Sequence, residues 1–440
     1  MRLRAFIKRA VFATLTALLV YALVELCAWL AFGFVDGSTY APAQIRSLQR
    51  DRLDEDPDGL SGGEAQSPVR ALTQREWRVH PFVGYVVDRT PARSLPGSVE
   101  GIHVTEYGYL DTRAPIHKRS GVKLIVAVVG GSVANLFTHG GHRVLAERLR
   151  ESPRFAEREF VFVRLALAGY KQPQQLQTIT YMLSLGAEFD IVINIDGFNE
   201  VALYPAENGR KGFAVSYPRR WKQRVEPLPD PRVLRRMGEI SHLEGEREAR
   251  ARDALASPFA FSMIRNLVWF AADRRLDQRI FVAREALLRE EVESDARGTP
   301  GRRTEFEDDD ELYSALVDLW VRSSIQIDRL LRANGTLYVH FLQPNQYVEG
   351  SKPMGDDERE LAIPENANYR LGARAGYPLL IQAGRGLTAS GVHFRDLTRI
   401  FESVSEPVYI DACCHLNQLG NEIMAEQIAD TILEALAAQE

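Results

Sequence analysis

Four short stretches of this chain carry side chains that together can perform acyl transfer. Residues 122–135 read VKLIVAVVGGSVAN and present Ser132 after two glycines. Its hydroxyl becomes a nucleophile once a base takes its proton. Asp411 and His415 share the segment DACCH near the C-terminus. A histidine can be that base, and a carboxylate beside it fixes its tautomer and steadies its positive charge. The tetrahedral oxyanion formed on attack needs N–H donors. The backbone of Ser132, the backbone of Gly169 (in LAGY) and the side-chain amide of Asn199 (in GFNE) can supply them. Each residue also has a plainer reading: Ser132 as a helix cap, Asn199 as a turn residue, and His415 as a structural histidine.

Each candidate follows a stretch that reads as a strand. Residues 124–129 form a continuous apolar run, β-branched at Ile125, Val126, Val128 and Val129, the pattern of a strand covered on both faces of a parallel sheet. Gly130 and Gly131 permit a sharp turn that leaves Ser132 at its carboxyl end. Residues 159–166 run into the Gly169 loop, 189–195 into the Asn199 loop and 337–342 into Gln343-Pro344-Asn345-Gln346; a short strand is expected at 408–410, before Asp411. Helical patterns fall at 142–150, 172–185, 311–332 and 417–437, with a short helix and turn at 379–388. This alternation predicts an α/β fold whose parallel strands are joined by right-handed crossovers. Open sheets of this kind hold ligands outside the strands' carboxyl ends, so the loops should meet at one edge.

In order along the chain, these stretches resemble the motif blocks of the SGNH hydrolases, also called GDSL-type esterases and lipases. Gly130-Gly131-Ser132 is similar to the family's Gly-Asp-Ser block, with Gly131 at the Asp position. Gly169 matches the glycine of the second block, and Gly197-Phe198-Asn199-Glu200 resembles Gly-x-Asn-Asp with Glu in last place. Asp411-Ala412-Cys413-Cys414-His415-Leu416, followed by Gly420, is similar to the Asp-x-x-His block with one extra residue between acid and base. The resemblance covers about 122–200 and 335–435. It implies a three-layer, flavodoxin-like sheet with helices on both faces, a Ser132–His415–Asp411 triad, an oxyanion hole of Ser132, Gly169 and Asn199, and no metal or organic cofactor. The implied activity is that of a serine esterase acting on O-acetyl groups of envelope glycans or on a lipid ester. The same triad acting on an envelope polysaccharide would make an O-acyltransferase. The altered Asp411–His415 spacing also leaves open a non-catalytic envelope assembly or binding protein that keeps the fold. Gly130-Gly131-Ser132-Val133-Ala134 approximates the Gly-x-Ser-x-Gly elbow of α/β-hydrolases, but that fold sets its serine after several strands and separates Asp from His widely. The Gly-x-Gly-x-x-Gly dinucleotide pattern is not satisfied.

The N-terminus adds a location. Arg2, Arg4, Lys8 and Arg9 precede an apolar stretch at 11–35 broken only by Glu25, long enough for a hydrocarbon core of roughly 30 Å. The positive-inside rule makes 1–10 a cytoplasmic tail and 11–35 an uncleaved signal-anchor, with the rest extracytoplasmic, periplasmic in a Gram-negative bacterium. Residues 36–75 read as a flexible linker and 76–440 as the SGNH-like domain. Within that domain, 205–303 reads as a helical cap insertion, with helices near 230–254 and 274–293 and an apolar stretch at 258–272 suited to docking. The net charge of −5 over 440 residues offers nothing for nucleic acid. The expected partners are an ester or acylated-glycan substrate, the membrane, and envelope-assembly proteins. His139 and His142 suggest a metal pair but have no third ligand. His340 reads as core, and Cys413 and Cys414 as packing residues or a vicinal disulfide.

Overall fold

The structure is a computed structural model that describes residues 2–36, 40–54, 77–88, 101–221, 224, 231–295, 305–364 and 367–438. They divide into two units, one built from the N-terminal segment together with residues 229–294 of the insertion, the other from the remainder.

The second unit is α/β and holds every candidate site residue. Its sheet has five parallel strands, β1 (Lys123–Gly130), β2 (Glu159–Arg164), β3 (Ile191–Asp196), β4 (Leu337–Leu342) and β5 (His393–Asp396). Their spatial order is β2-β1-β3-β4-β5. Val126 of β1 stands beside Phe162 of β2 and Ile191 of β3, and Ile193 beside Val339 of β4. β1 and β3 are buried almost throughout because neighbours and helices cover them on all sides, which accounts for their uninterrupted apolar sequence. The chain runs outward from β1 to β2 and then returns past β1 to β3. With right-handed connections, that reversal sends successive helices to opposite faces and opens a crevice at the carboxyl ends of β1 and β3. Helices Ser132–Gly140, His142–Arg150 and Gln418–Ala437 pack together, as do Gln174–Ser184, Phe198–Ala206, Asp309–Ala333 and Arg370–Ala389.

Three local expectations are revised. Residues 408–410 do not join the sheet; Tyr409 makes only an isolated bridge to Leu416. Their backbone is satisfied otherwise: Glu358 Oε1 accepts the N–H of Val408 and Tyr409, and Asn417 N donates to Val408 O. The fifth strand is β5 instead. The short helix at 379–388 is a 20-residue helix, Arg370–Ala389, that carries Pro378 within it. Its glycines hid it from a propensity reading but have a packing role. A Cβ at Gly376 would lie 2.3 Å from Val201 Cβ, so the bare backbone lets this helix press against Phe198–Ala206. A further helix begins at Ser132 itself, one helix earlier than the periodicity at 142–150 suggests.

The first unit contains the long helix Arg2–Asp36, within which Val11–Phe32 is long and apolar enough to cross a membrane. Helix Pro42–Asp54 occupies part of the stretch read as a linker; residues 37–39 and 55–75 of that linker lie outside the described residues. Of the 205–303 insertion, helices Pro231–Ala256 and Met263–Asp295 belong to this unit, whereas residues 205–221 belong to the other. The apolar stretch at 258–272 does dock: Met263, Trp269 and Phe270 form a core with Ala28, Phe32 and Ile45.

Candidate active site

The sheet edge brings Ser132, Asp411 and His415 into contact. Ser132 opens its helix directly after β1, and Oγ lies 2.7 Å from His415 Nε2. The other ring nitrogen, Nδ1, is hydrogen-bonded to Asp411 Oδ2. All three are buried. The extra residue between acid and base is taken up by a tight loop around the second carboxylate oxygen. Asp411 Oδ1 accepts the N–H groups of Cys413 (2.9 Å), Cys414 (3.1 Å) and His415 (3.3 Å). The carboxylate thus shapes its own loop with one oxygen and holds the imidazole with the other.

Electrostatics couple the pair. Burial pushes the Asp411 carboxyl up, but the His415 charge and the donated hydrogen bonds outweigh it and hold the pKa below its ordinary value. Burial pushes His415 down, yet Asp411 outweighs that and raises it to about 9. The neighbouring loop fixes their position from outside: Gln346 Nε2 donates to Asp411 O at 3.1 Å and the Tyr347 hydroxyl to Ala412 O.

The three oxyanion candidates converge on the same edge. As the first residue of a helix, Ser132 has a backbone N–H with no intrahelical acceptor. Asn199 lies one residue inside the Phe198–Ala206 helix, and its Nδ2 donates to Tyr170 O at 2.7 Å, leaving a second N–H on that nitrogen. The amide passes so close to the nucleophile loop that a Cβ on Gly131 would stand 2.2 Å from Nδ2. Gly131 is therefore required by close approach. Gly169 sits at φ +77°, and its loop is pinned by Tyr85, whose hydroxyl donates to Ala168 O at 2.8 Å. Asn135 Nδ2 ties the Ser132 helix to the same loop through Ala166 O at 3.0 Å.

Sequence reasoning did not find Glu200, Tyr85, Gln346 or Tyr347 as site supports. Glu200 had a signal, as the last residue of the third block. Its buried carboxylate accepts Gly197 N at 2.8 Å and Gln172 N at 3.0 Å, locking the Asn199 turn to the Tyr170 loop. Burial and, second, Asp196 raise it to about 8. The other supports act across long sequence separations and leave no local pattern.

The remaining candidates resolve into packing. His340 lies in β4 and is fully buried; its Nε2 is 2.8 Å from Asp196 Oδ1, an oxygen that also accepts Trp320 Nε1 at 2.6 Å. His139 and His142 flank the joint between two helices. Burial, then the positive charge of Arg164, lowers both to about 4, so both are neutral packing groups. Cys413 and Cys414 are free thiols with sulfurs 3.5 Å apart. Donor atoms of Cys413, Cys414 and His415 lie within 4.8 Å of one another, and the two His415 ring nitrogens are hydrogen-bonded to Asp411 and Ser132.

Fold and site together define an α/β protein with a serine–histidine–aspartate constellation at the switch point of a parallel sheet. No protein-family model matches the chain, and neither does any curated protein.

Proposed function

We propose that this chain is a serine esterase of the SGNH type, anchored by its N-terminal helix with the site outside the cytoplasm. The observation that carries the reading is the unbroken relay from Ser132 Oγ to His415 Nε2 at 2.7 Å and from His415 Nδ1 to Asp411. As Oγ attacks an ester carbonyl, Nε2 takes its proton and Asp411 steadies the imidazolium. The oxyanion is gathered by the Ser132 and Gly169 backbone N–H groups and the Asn199 amide. Collapse expels the alcohol, which receives the proton from His415. Water then attacks the acyl-serine by the same route, releasing the acid and restoring Ser132. This chemistry asks for no metal.

The direct test exposes the purified chain to a fluorophosphonate probe and p-nitrophenyl acetate. Labelling and turnover by the wild type, both lost in Ser132→Ala, support the assignment. Equal behaviour of the two proteins overturns it. Acetate release without any sugar acceptor separates the hydrolase from the acyltransferase.

A further inference from the structure

Against the Gly169 loop lies a group of positive charges that the mechanism does not use. Arg219 lies across Gly169: a Cβ there would meet Arg219 Cδ at 2.7 Å. Its guanidinium grips Glu207, with Nη2 at 2.7 Å and Nε at 2.8 Å from Oε1. Arg220 Nε is 3.4 Å from the same oxygen. Arg224 donates through Nε to Arg219 O at 3.1 Å and stacks its guanidinium 3.6 Å from the ring centre of Tyr85, the residue that pins the Gly169 loop. Among the described residues, Glu207 is the one carboxylate paired with the cluster. Arginine stays charged in proteins, so among the described residues three positive charges share one negative charge.

Two further observations point to a ligand. Arg220 has φ 52° and is the one non-glycine described residue with positive φ, a conformation that side chains with a Cβ adopt at a cost. The arrangement is open as well as charged: the side chains of Arg219 and Arg220 keep 24% and 39% of their surface exposed. The cluster is near the triad: Gly169 adjoins Tyr170, whose carbonyl oxygen would lie 3.3 Å from a Cβ on Gly131, the residue before Ser132.

We infer that Arg219, Arg220 and Arg224 form an anion subsite beside the acyl site, fitted to an ester substrate that bears a carboxylate or phosphate group. The inference rests on the esterase reading for its consequence but not for its binding test. That test uses the full chain with Ser132→Ala, titrated calorimetrically with a glucuronate oligosaccharide, with glucose 6-phosphate and with a neutral glucan oligosaccharide. Binding of either anion, at least tenfold tighter than the neutral sugar and weakened by salt, is the expected result. Whichever anion binds identifies the group. Arg220→Gly suits the left-handed backbone, so it keeps the fold while removing one charge, and it should weaken anion binding about tenfold; Arg220→Lys should restore part of it. Equal binding of neutral and anionic sugars, or an Arg220→Gly variant that binds anions as before, overturns the subsite. A wild-type chain that binds anions but shows no Ser132-dependent turnover leaves the subsite standing and removes the esterase.

A second observation, in the first unit, concerns the one charge within the apolar N-terminal helix. Glu25 accepts hydrogen bonds from Ser262 Oγ at 2.6 Å and from the N–H groups of Met263 and Ile264, the start of helix Met263–Asp295. Seven residues on, Phe32 meets Phe270, itself seven residues past Met263, with ring centres 5.4 Å apart. The two helices therefore run side by side in register. Glu25 lies about 10 Å inside the end of the apolar span at Phe32, at ~1.5 Å per residue. Phe259, Phe261 and Val268 are 59–67% exposed on this tip. We propose that residues 257–268 dip into the outer leaflet beside the anchor, with the exposed Arg265 reaching back to the lipid phosphates. Nanodiscs containing a diazirine phosphatidylcholine test this by mass spectrometry of the photolabelled full chain. Labels on peptides from both 11–32 and 257–268 are expected. Labels on 11–32 alone overturn the tip; labels on neither overturn the span on which it rests.

Discussion

At the scale of single residues, the pair Asp411–His415 should set the pH dependence of the proposed esterase. His415 must be neutral to accept the Ser132 proton, and its pKa is raised from 6.5 to about 9. On the acid side of that value the base is protonated and blocked, so kcat/KM should climb with pH and reach half its plateau near 9 rather than 6.5. Asp411→Asn removes the charge that raises His415 and leaves burial, which lowers it. The ascending limb should therefore move to below 6.5 while kcat falls roughly 10^4-fold. A pH–rate profile of the two proteins checks this, and an unmoved limb would refute the coupling. Gly131→Ala probes the other side of the site. Its Cβ would stand 2.2 Å from the Asn199 amide, so the donor must swing away. The expected loss is about 10^2- to 10^3-fold in kcat with KM little changed, the signature of an interaction made only in the transition state. Ser132, Gly169 and Asn199 were readable as candidates because each follows a strand in a short motif, and Asp411 and His415 because they share one motif, although no strand precedes them. The closeness of Gly131 to Asn199 was not, since it arises between residues far apart in sequence.

At the scale of elements, what holds the acid–base segment is a side chain rather than a strand. Lys352 Nζ and Glu358 Oε2 form an ion pair at 2.9 Å with side chains 0% and 1% exposed, while Glu358 Oε1 takes the N–H groups of Val408 and Tyr409. Removing the acid alone, in Glu358→Ala, strands a buried ammonium and should cost about 3–5 kcal/mol in denaturant unfolding. The double variant Lys352→Met/Glu358→Leu removes both charges and should recover much of that stability. It still lacks an acceptor for residues 408 and 409, so its turnover should stay low. Full recovery of turnover would show that the carboxylate does not position the segment. This is also where the sequence misled: an apolar triplet before Asp411 reads as a strand, yet its pairing groups are spent on Glu358 and its own loop. Strands β1, β3 and β4 and their loops were legible because burial on both faces writes itself as apolar runs, and the edge strand β2 because its Phe and Val residues favour strands. The Arg370–Ala389 helix was obscured because the glycines that let it press on Val201 are the residues that lower helix propensity.

At the scale of the whole molecule, the chain joins an α/β unit that carries the candidate site to a helical unit that contains a possible membrane span. The proposed direction rests on charge: four basic residues precede Val11, and none follows before Arg46, so insertion with the N-terminus inside would keep those charges from crossing. On that proposed topology the site would lie outside, and its substrates would be found there. Alkaline phosphatase folds actively only after export, and a green fluorescent protein exported unfolded stays dark. Fused after Glu440, the first should be active and the second dark in bacterial cells. Replacing Arg2, Arg4, Lys8 and Arg9 with Glu should weaken that bias and raise fluorescence in proportion to the inverted fraction. A bright fusion to the unaltered chain would place Ser132 in the cytoplasm and withdraw envelope esters as substrates, while leaving the geometry of the relay, and its predicted alkaline limb, intact.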